Sequence, residues 1–191
     1  MQILLASKSP RRKQLLEQLG CEITIVHQDV AETFPEDLPV SEVPVFLAEQ
    51  KARGVENALE NEEQIILASD TIVTMNNEIF HKPMDFEDGV RILSTLQGKT
   101  HQVITGVCLL SKHKCIKFKD IAEVTFMPMS QEEIKFYLET YKPYDKAGAY
   151  AIQEWIGLAK IQKMNGSYAT VMGLPTHLVY ETLQTHFAKK I

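Results

Sequence analysis

The sequence is poor in the features that mark secreted, metal-cluster and membrane proteins. It has only three cysteines, Cys21, Cys108 and Cys115, and no two of them form a C-x-x-C pair. This odd and widely spaced set fits reduced thiols better than a disulfide framework or a zinc site. The chain does not begin with a basic segment and a long apolar run, and its apolar runs are far shorter than a membrane span. We therefore expect a cytoplasmic protein without a signal peptide and without a membrane partner.

Positive charge is also scarce. The 20 lysines and arginines are outnumbered by 25 aspartates and glutamates, which gives a formal net charge of −5. This balance argues against broad binding to nucleic acid, which requires a basic surface. Hydrophobic residues make up 45% of the 191 residues, enough for a sizeable core. No repeat, low-complexity tract or long linker interrupts the chain, so we predict a single domain over residues 1–191.

Strand and helix patterns are mixed along the chain, which predicts an α/β fold with a mixed sheet. The loop between residues 27 and 39 separates the second strand from the second helix. Asn76-Asn77 and Asn165-Gly166 each predict a hairpin turn. We predict strands over 3–6, 22–26, 65–68, 71–73, 78–80, 100–111, 115–126, 158–164 and 167–171, and helices over 10–19, 42–59, 86–96, 130–140 and 175–187.

The first turn of the first helix carries a chemical signal. Ser9 is a favourable N-cap and Pro10 a favourable first helical residue. This turn has unpaired N–H groups and the positive end of the helix dipole, so Arg11 and Arg12 are unfavourable there unless an anion binds. Phosphate oxygens would suit the N–H groups, the arginines and the hydroxyls of Ser7 and Ser9. The alternative is an ordinary capped helix whose arginines point into water.

Asp70 interrupts an apolar β segment, where an unpaired carboxylate is costly. With the Thr71 hydroxyl beside it, this carboxylate suits a metal ligand or a general base. The alternative is an aspartate that caps a turn at the end of a strand. A phosphatase of the haloacid dehalogenase type would need a second aspartate two positions further on, and that residue is Ile72, so this class is excluded.

Four other polar residues stand out less strongly. Glu32 in the long loop, Lys51 in the second helix and Lys82 after the Asn76-Asn77 turn each fit a solvated surface charge when taken alone. Gln153 follows a stretch of small residues that permits close backbone approach, and its amide offers both a donor and an acceptor to the edge of a base. The alternative for this stretch is a connection packed on the core.

Several short motifs occur in one order along almost the whole chain. They are Leu5-Ala6-Ser7-x-Ser9-Pro10-Arg11-Arg12, Glu32, Lys51-Ala52, Ser69-Asp70-Thr71-Ile72-Val73, Lys82-Pro83, Gly98-Lys99-Thr100-His101-x-Val103-x-Thr105, Asp145-Lys146-Ala147-Gly148-Ala149-Tyr150 and Asn165-Gly166-Ser167-Tyr168-x-x-Val171-x-Gly173-Leu174-Pro175. In this order they resemble the Maf family of nucleoside triphosphate pyrophosphatases. The resemblance implies hydrolysis of the bond between the α and β phosphates, giving a monophosphate and pyrophosphate. It also implies a divalent metal ion (Mg²⁺, with Mn²⁺ as the alternative), a homodimer, and an elongated, twisted mixed sheet flanked by helices in two lobes with a central cleft, as in inosine triphosphatase-like proteins of the Ham1 type.

The resemblance also implies roles for individual residues. Asp70 would be the general base, and Glu32 with Asp70 would hold the metal. The side chains implied to bind the triphosphate are those of Ser7, Arg11, Arg12, Lys51 and Lys82, and those implied to select the base are Arg11, Thr71 and Gln153.

Arg11, directly after Ser-Pro, resembles the branch of the family that acts on dTTP and UTP rather than on 7-methyl-GTP. The chain departs from that branch in one place, where Ala151-Ile152-Gln153-Glu154 replaces the usual Gly-Ile-Gln-Gly. dTTP, UTP and modified uridine or cytidine triphosphates all remain open as the natural substrate. The alternative function is a nucleotide-binding regulator of cell division, acting on septum formation with little turnover.

Overall fold

The computed structural model of the protein describes residues 2–27 and 30–187. In the long loop predicted for residues 27–39, residues 28 and 29 lie outside the described residues. The strands are β1 (Gln2–Leu5), β2 (Glu22–Ile25), β3 (Ile65–Met75), β4 (Glu78–Phe80), β5 (Thr100–Leu110), β6 (Cys115–Phe126) and β7 (Ile161–Asn165). The helices are α1 (Pro10–Gln18), α2 (Val43–Gly54), α3 (Phe86–Leu96), α4 (Gln131–Tyr141), α5 (Trp155–Lys160), α6 (Tyr168–Met172) and α7 (Thr176–Phe187).

The strands of the described residues form one mixed sheet in the order β2-β1-β3-β5-β6-β7, with β4 paired to β3. Strand β1 is parallel to both β2 and β3, whereas β4 is antiparallel to β3 and β7 is antiparallel to β6. Parallel pairs need a crossover connection, and α1 provides the one between β1 and β2. The predicted α/β fold with a mixed sheet is confirmed.

The chain divides into two compact units. The first comprises residues 1–70, 105–120 and 173–191, and the second comprises residues 71–104 and 121–172. In the first unit, β1 and α1 bury Ile3, Leu5 and Leu16 together with Val179 and Leu183 of α7. In the second unit, α3 and α4 bury their apolar faces on Val103, Val124 and Phe126. Each unit therefore has a hydrophobic core of its own.

The second half of the chain departs from the predicted strands. Residues 158–164 and 167–171 do not form a hairpin around Asn165-Gly166, so that prediction was wrong. Residues 155–160 form α5, β7 pairs with β6, and residues 168–172 form α6. Gly166 has a φ of +122°, and a Cβ there would lie 2.8 Å from Ala122 Cα. The glycine is thus required for close approach of β7 to β6 rather than for a hairpin turn.

All three cysteines are free, as predicted. The Cys108 and Cys115 sulfurs lie 3.7 Å apart, and burial raises the pKa of the Cys108 thiol above its ordinary value. Within residues 2–27 and 30–187, no helix is long and apolar enough to cross a membrane.

The core of the second unit contains an ionisable side chain, that of His101 in β5. Its Nε2 atom lies 2.8 Å from the Tyr150 hydroxyl, and its ring packs on Phe126 with centroids 5.0 Å apart. Its Nδ1 atom is buried without a hydrogen-bond partner among the described residues. Burial disfavours the charged imidazolium and lowers the pKa of His101 to about 4.

We expect the free energy of unfolding to fall as the pH is lowered from about 6.5 to about 4. The ordinary pKa of histidine is 6.5, so the unfolded chain binds more protons than the folded one in this window. No stability is lost through His101 above pH 6.5. Between pH 6.5 and 4 the free energy of unfolding falls by up to ~1.4 kcal/mol per pH unit, and the loss reaches about 3 kcal/mol below pH 4. Urea unfolding at several pH values measures this loss. The free energy of unfolding should depend less steeply on pH for His101→Gln than for the wild type. Equal dependence on pH would show that His101 does not cause the loss.

Candidate functional site

The N-terminus of α1 has the geometry predicted for it, apart from the capping bond. Ser9 occupies the N-cap position with extended backbone, and Pro10 begins the helix. The Ser9 side chain makes no capping hydrogen bond; instead, the Ser9 N–H donates to Ser7 Oγ at 3.2 Å. The first turn has no acidic residue. The positive end of the helix dipole therefore lacks an acidic side chain from its own first turn, which favours an anionic ligand there.

Arg12 is held in place by the body of the first unit. Its Nε donates to the Gly173 carbonyl at 2.9 Å, and its Nη1 donates to Ser7 Oγ at 3.3 Å. Burial lowers the pKa of Arg12, and the nearby charge of Asp70 raises it in opposition. For Arg12, the alternative of an arginine pointing freely into water is therefore wrong.

Arg11 differs from its neighbour. Its Nε atom is buried and has no hydrogen-bond partner within the described part of the chain. A buried guanidinium N–H without an acceptor costs about 1–3 kcal/mol or more, since the group is charged. An anion bound at the start of α1 would supply such an acceptor.

Lys51 of α2 brings two carboxylates together. Its Nζ lies 2.5 Å from Asp70 Oδ1 and 2.7 Å from Glu32 Oε1. The Asp70 side chain is 12% exposed and that of Lys51 19%, whereas that of Glu32 is 50% exposed. A buried carboxylate needs a paired cation, and Lys51 provides it. Sequence position alone had not distinguished Glu32 and Lys51 from surface charges.

The sequence explains why α2 can bring Lys51 so close to β3. Ala48 and Ala52, which flank Lys51, pack in one buried cluster with Ala68 of β3. At the start of the helix, Gly106 of β5 has no side chain, and a Cβ there would lie 2.3 Å from the Pro44 carbonyl carbon. Small residues thus allow the helix to lie directly on the sheet.

Asp70 does not lie at the end of a strand. Strand β3 runs without a break from Ile65 to Met75, so the two predicted strands are one and Asp70 is in its middle. The turn-capping alternative is therefore wrong. A carboxylate inside a nearly buried strand, paired with a lysine, is better placed to act on a ligand than to cap a turn.

The pair of carboxylates is chemically suited to a divalent ion. Glu32 and Asp70 each place an oxygen within 2.7 Å of the same nitrogen. Mg²⁺ prefers oxygen ligands and is often bound through one or two carboxylates, with the substrate phosphates and waters completing its coordination. Among residues 2–27 and 30–187, no group of three or more His, Cys, Asp or Glu side chains could hold a metal ion by itself. An ion held by these two carboxylates would need further ligands from substrate or water.

The other three candidates belong to the second unit. Thr71 follows Asp70 in β3 and is half-buried, Lys82 is exposed in the segment after β4, and Gln153 is exposed between Ile152 and α5. The first unit holds Ser7, Arg11, Arg12, Glu32, Lys51 and Asp70.

Two residues of the site, Ser69 and Gly173, stand in the sequence motifs but had been given no role. The Gly173 carbonyl accepts the hydrogen bond from Arg12 and a second one from Ser69 Oγ at 2.7 Å. Ser69 is fully buried, so its hydroxyl depends on this partner. For Ser69, the available signal was a serine inside an apolar strand. For Gly173, no local sequence pattern indicates that its carbonyl binds Arg12, which lies 161 positions earlier.

An immobilised arginine, a second arginine with an unpaired N–H, and a nearly buried carboxylate paired with a lysine are groups of the kind that suit a phosphorylated anion. Comparison with known proteins gives the family. The chain belongs to the Maf-like protein family, whose model matches residues 2–186.

Curated relatives match it over nearly their whole length. A protein of Flavobacterium johnsoniae is 45% identical over 183 residues, which cover 96% of this chain and 94% of the relative. A protein of Porphyromonas gingivalis is 44% identical over 186 residues, which cover 95% of this chain and 92% of the relative. Both are named dTTP/UTP pyrophosphatase. Among solved structures, the Ham1 protein of Staphylococcus aureus has a TM-score of 0.45 and 14% identity, over 66% of this chain and 72% of that one.

Proposed function

We propose that the protein hydrolyses dTTP and UTP to the monophosphate and pyrophosphate, and so removes nucleotides from the cellular pool. The observation that carries the proposal is the 45% identity over 96% of the chain to a relative with this named activity. The site geometry supports it, because cations and one nearly buried carboxylate are what phosphoryl transfer to water requires. The regulator of cell division is not favoured, since the relatives that match nearly the whole chain are named for a pyrophosphatase activity.

The cations of the site would bind the triphosphate. Arg12 is already oriented by Ser7 and Gly173, so little conformational freedom is lost when phosphate binds. Arg11 offers its unpaired Nε, and Lys51 a charge within reach of Asp70. Together with Lys82, these groups would stabilise the negative charge that develops on the phosphate oxygens.

Asp70 would accept the proton of the attacking water. As the water oxygen bonds to phosphorus, the bond between the α and β phosphates breaks and the proton passes to the Asp70 carboxylate. Lys51 donates to Asp70 Oδ1 and so holds the carboxylate in one orientation. Glu32 and Asp70 would hold Mg²⁺ or Mn²⁺, which when bound supplies further positive charge to the phosphates.

The remaining parts of the proposal follow the family resemblance. Thr71, Gln153 and Arg11 would select the base. The protein would act as one domain over residues 1–191, as a cytoplasmic homodimer that binds neither nucleic acid nor membranes.

Product analysis tests the proposed function. The protein is incubated with Mg²⁺ and a panel of nucleoside triphosphates, and pyrophosphate is separated from orthophosphate. We expect pyrophosphate from dTTP and UTP, and little from 7-methyl-GTP. Orthophosphate as the product would indicate a phosphatase of another class. Tight nucleotide binding without turnover would instead support the regulator.

A further inference from the structure

Gln153 lies in a tight turn that carries it into solvent. The turn spans residues 151–154 and is closed by the Glu154 N–H, which donates to the Ala151 carbonyl at 3.1 Å. Ala151 and Ile152 are buried, whereas Gln153 is exposed. The turn thus presents one polar side chain from an anchored backbone.

Both ends of this turn are bound by a single side chain, that of Tyr137 in α4. The Tyr137 hydroxyl accepts a hydrogen bond from the Ala151 N–H at 3.1 Å and donates one to Glu154 Oε2. Tyr137 is completely buried. Burial raises its pKa, and the hydrogen bond to Glu154 raises it further, so the hydroxyl keeps the proton that it donates.

Neighbouring groups fix Tyr137 and Glu154 in turn. The Tyr137 ring stacks on Tyr141 with centroids 5.1 Å apart. Lys146 Nζ lies 3.6 Å from Glu154 Oε1, and the Glu154 side chain is only 18% exposed. The acidic side chain that follows Gln153 is therefore turned towards α4 and Lys146, and both of its carboxylate oxygens have partners there.

We propose that Tyr137 and Glu154 are positioning residues for base selection, which hold the turn 151–154 so that Gln153 meets the edge of the base in one orientation. This inference rests on the proposed function. An amide can read the edge of a base only if the backbone that carries it places its donor and acceptor within reach of that edge. Tyr137 fixes this backbone at Ala151, and Glu154 supplies the second attachment point.

The test compares kcat/KM for dTTP with that for dCTP, whose base presents an amino group in place of a carbonyl. Tyr137→Phe removes both hydrogen bonds and should lower the preference for dTTP about tenfold, through a higher KM for dTTP with little change in kcat. Glu154→Ala should also lower the preference for dTTP over dCTP. Glu154→Gln keeps an acceptor for the tyrosine hydroxyl and should restore most of the preference.

Two further variants separate positioning from general stability. Tyr141→Phe removes a hydroxyl from the same helix, and it should leave the preference unchanged. Gln153→Ala should lose the preference, and adding Tyr137→Phe to it should cause no further loss, because the residue being positioned is already gone. Thermal melts confirm that each variant is folded under the assay conditions.

The outcomes distinguish this inference from the proposed function. If the wild type releases no pyrophosphate from dTTP or UTP, the proposed function itself fails. If the wild type prefers dTTP but Tyr137→Phe and Glu154→Ala retain that preference, the positioning role is overturned and the function stands. The positioning role is also overturned if the variants lose kcat/KM equally for dTTP and dCTP. It is overturned as well if the wild type cleaves dTTP and dCTP equally, because Gln153 would then not select the base.

Discussion

Replacing Asp70 by asparagine should reduce pyrophosphate release from dTTP by about a thousandfold or more. The amide has nearly the same shape as the carboxylate but cannot accept the proton of the attacking water. Nucleotide binding should persist, because Arg11 and Arg12 are unchanged. Lys51 also keeps its second partner, Glu32 at 2.7 Å. Single-turnover assays measure the chemical step, and nucleotide binding is measured separately by calorimetry with a non-hydrolysable triphosphate.

The matched control is Glu123→Gln, which removes an exposed carboxylate from β6. It should have nearly wild-type activity and stability. Near-normal turnover by Asp70→Asn would remove Asp70 from the mechanism. Loss of nucleotide binding together with turnover would assign Asp70 to the binding of substrate rather than to proton transfer.

Gly106→Ala should lower the free energy of unfolding by about 3 kcal/mol, at the upper end of the range for overpacked sites. The new Cβ would lie 2.3 Å from the Pro44 carbonyl carbon and from the Val45 nitrogen, so the start of α2 must move away from β5. Because α2 carries Lys51, we also expect weaker pairing with Asp70 and a lower kcat/KM. Urea unfolding and steady-state kinetics measure the two effects.

Gly89→Ala is the appropriate comparison for that variant. The three atoms nearest to its Cβ would all belong to the Leu138 side chain, the first at 2.9 Å, and a leucine side chain can rotate away where a helix backbone cannot. The better helix propensity of alanine offsets the small repacking cost. Equal stability of Gly106→Ala and the wild type would contradict the close approach of α2 to the sheet.

Elements with strong local signals were predictable from the sequence. Helix α3 runs from Phe86 to Leu96, as predicted, because Asp85 accepts a hydrogen bond from the Asp88 N–H at its start. Helix α4 begins with the predicted capping box of Ser130 and Glu133. Strand β6 was predicted to the residue. Such signals act over three or four residues, so a single sequence contains them completely.

Features that depend on distant partners were not predictable. The Asn165-Gly166 pair has the local chemistry of a hairpin, but the register of β7 against β6 decides its role. The bond between Arg12 and the Gly173 carbonyl joins residues 161 positions apart, and no local pattern encodes it. The same holds for Tyr137, since only the folded second unit shows which backbone its hydroxyl binds.

The bond between Arg12 and Gly173 also bears on how the protein is made. Arg12 leaves the ribosome early, but the carbonyl that orients it is synthesised much later, as are Val179 and Leu183, which complete the core around β1. A nascent or prematurely terminated chain that stops before residue 173 therefore has the arginine without the group that fixes it. The capacity to destroy nucleotides would thus arise only after Gly173 and α7 have been synthesised, and fragments that stop before them would not consume the triphosphate pool.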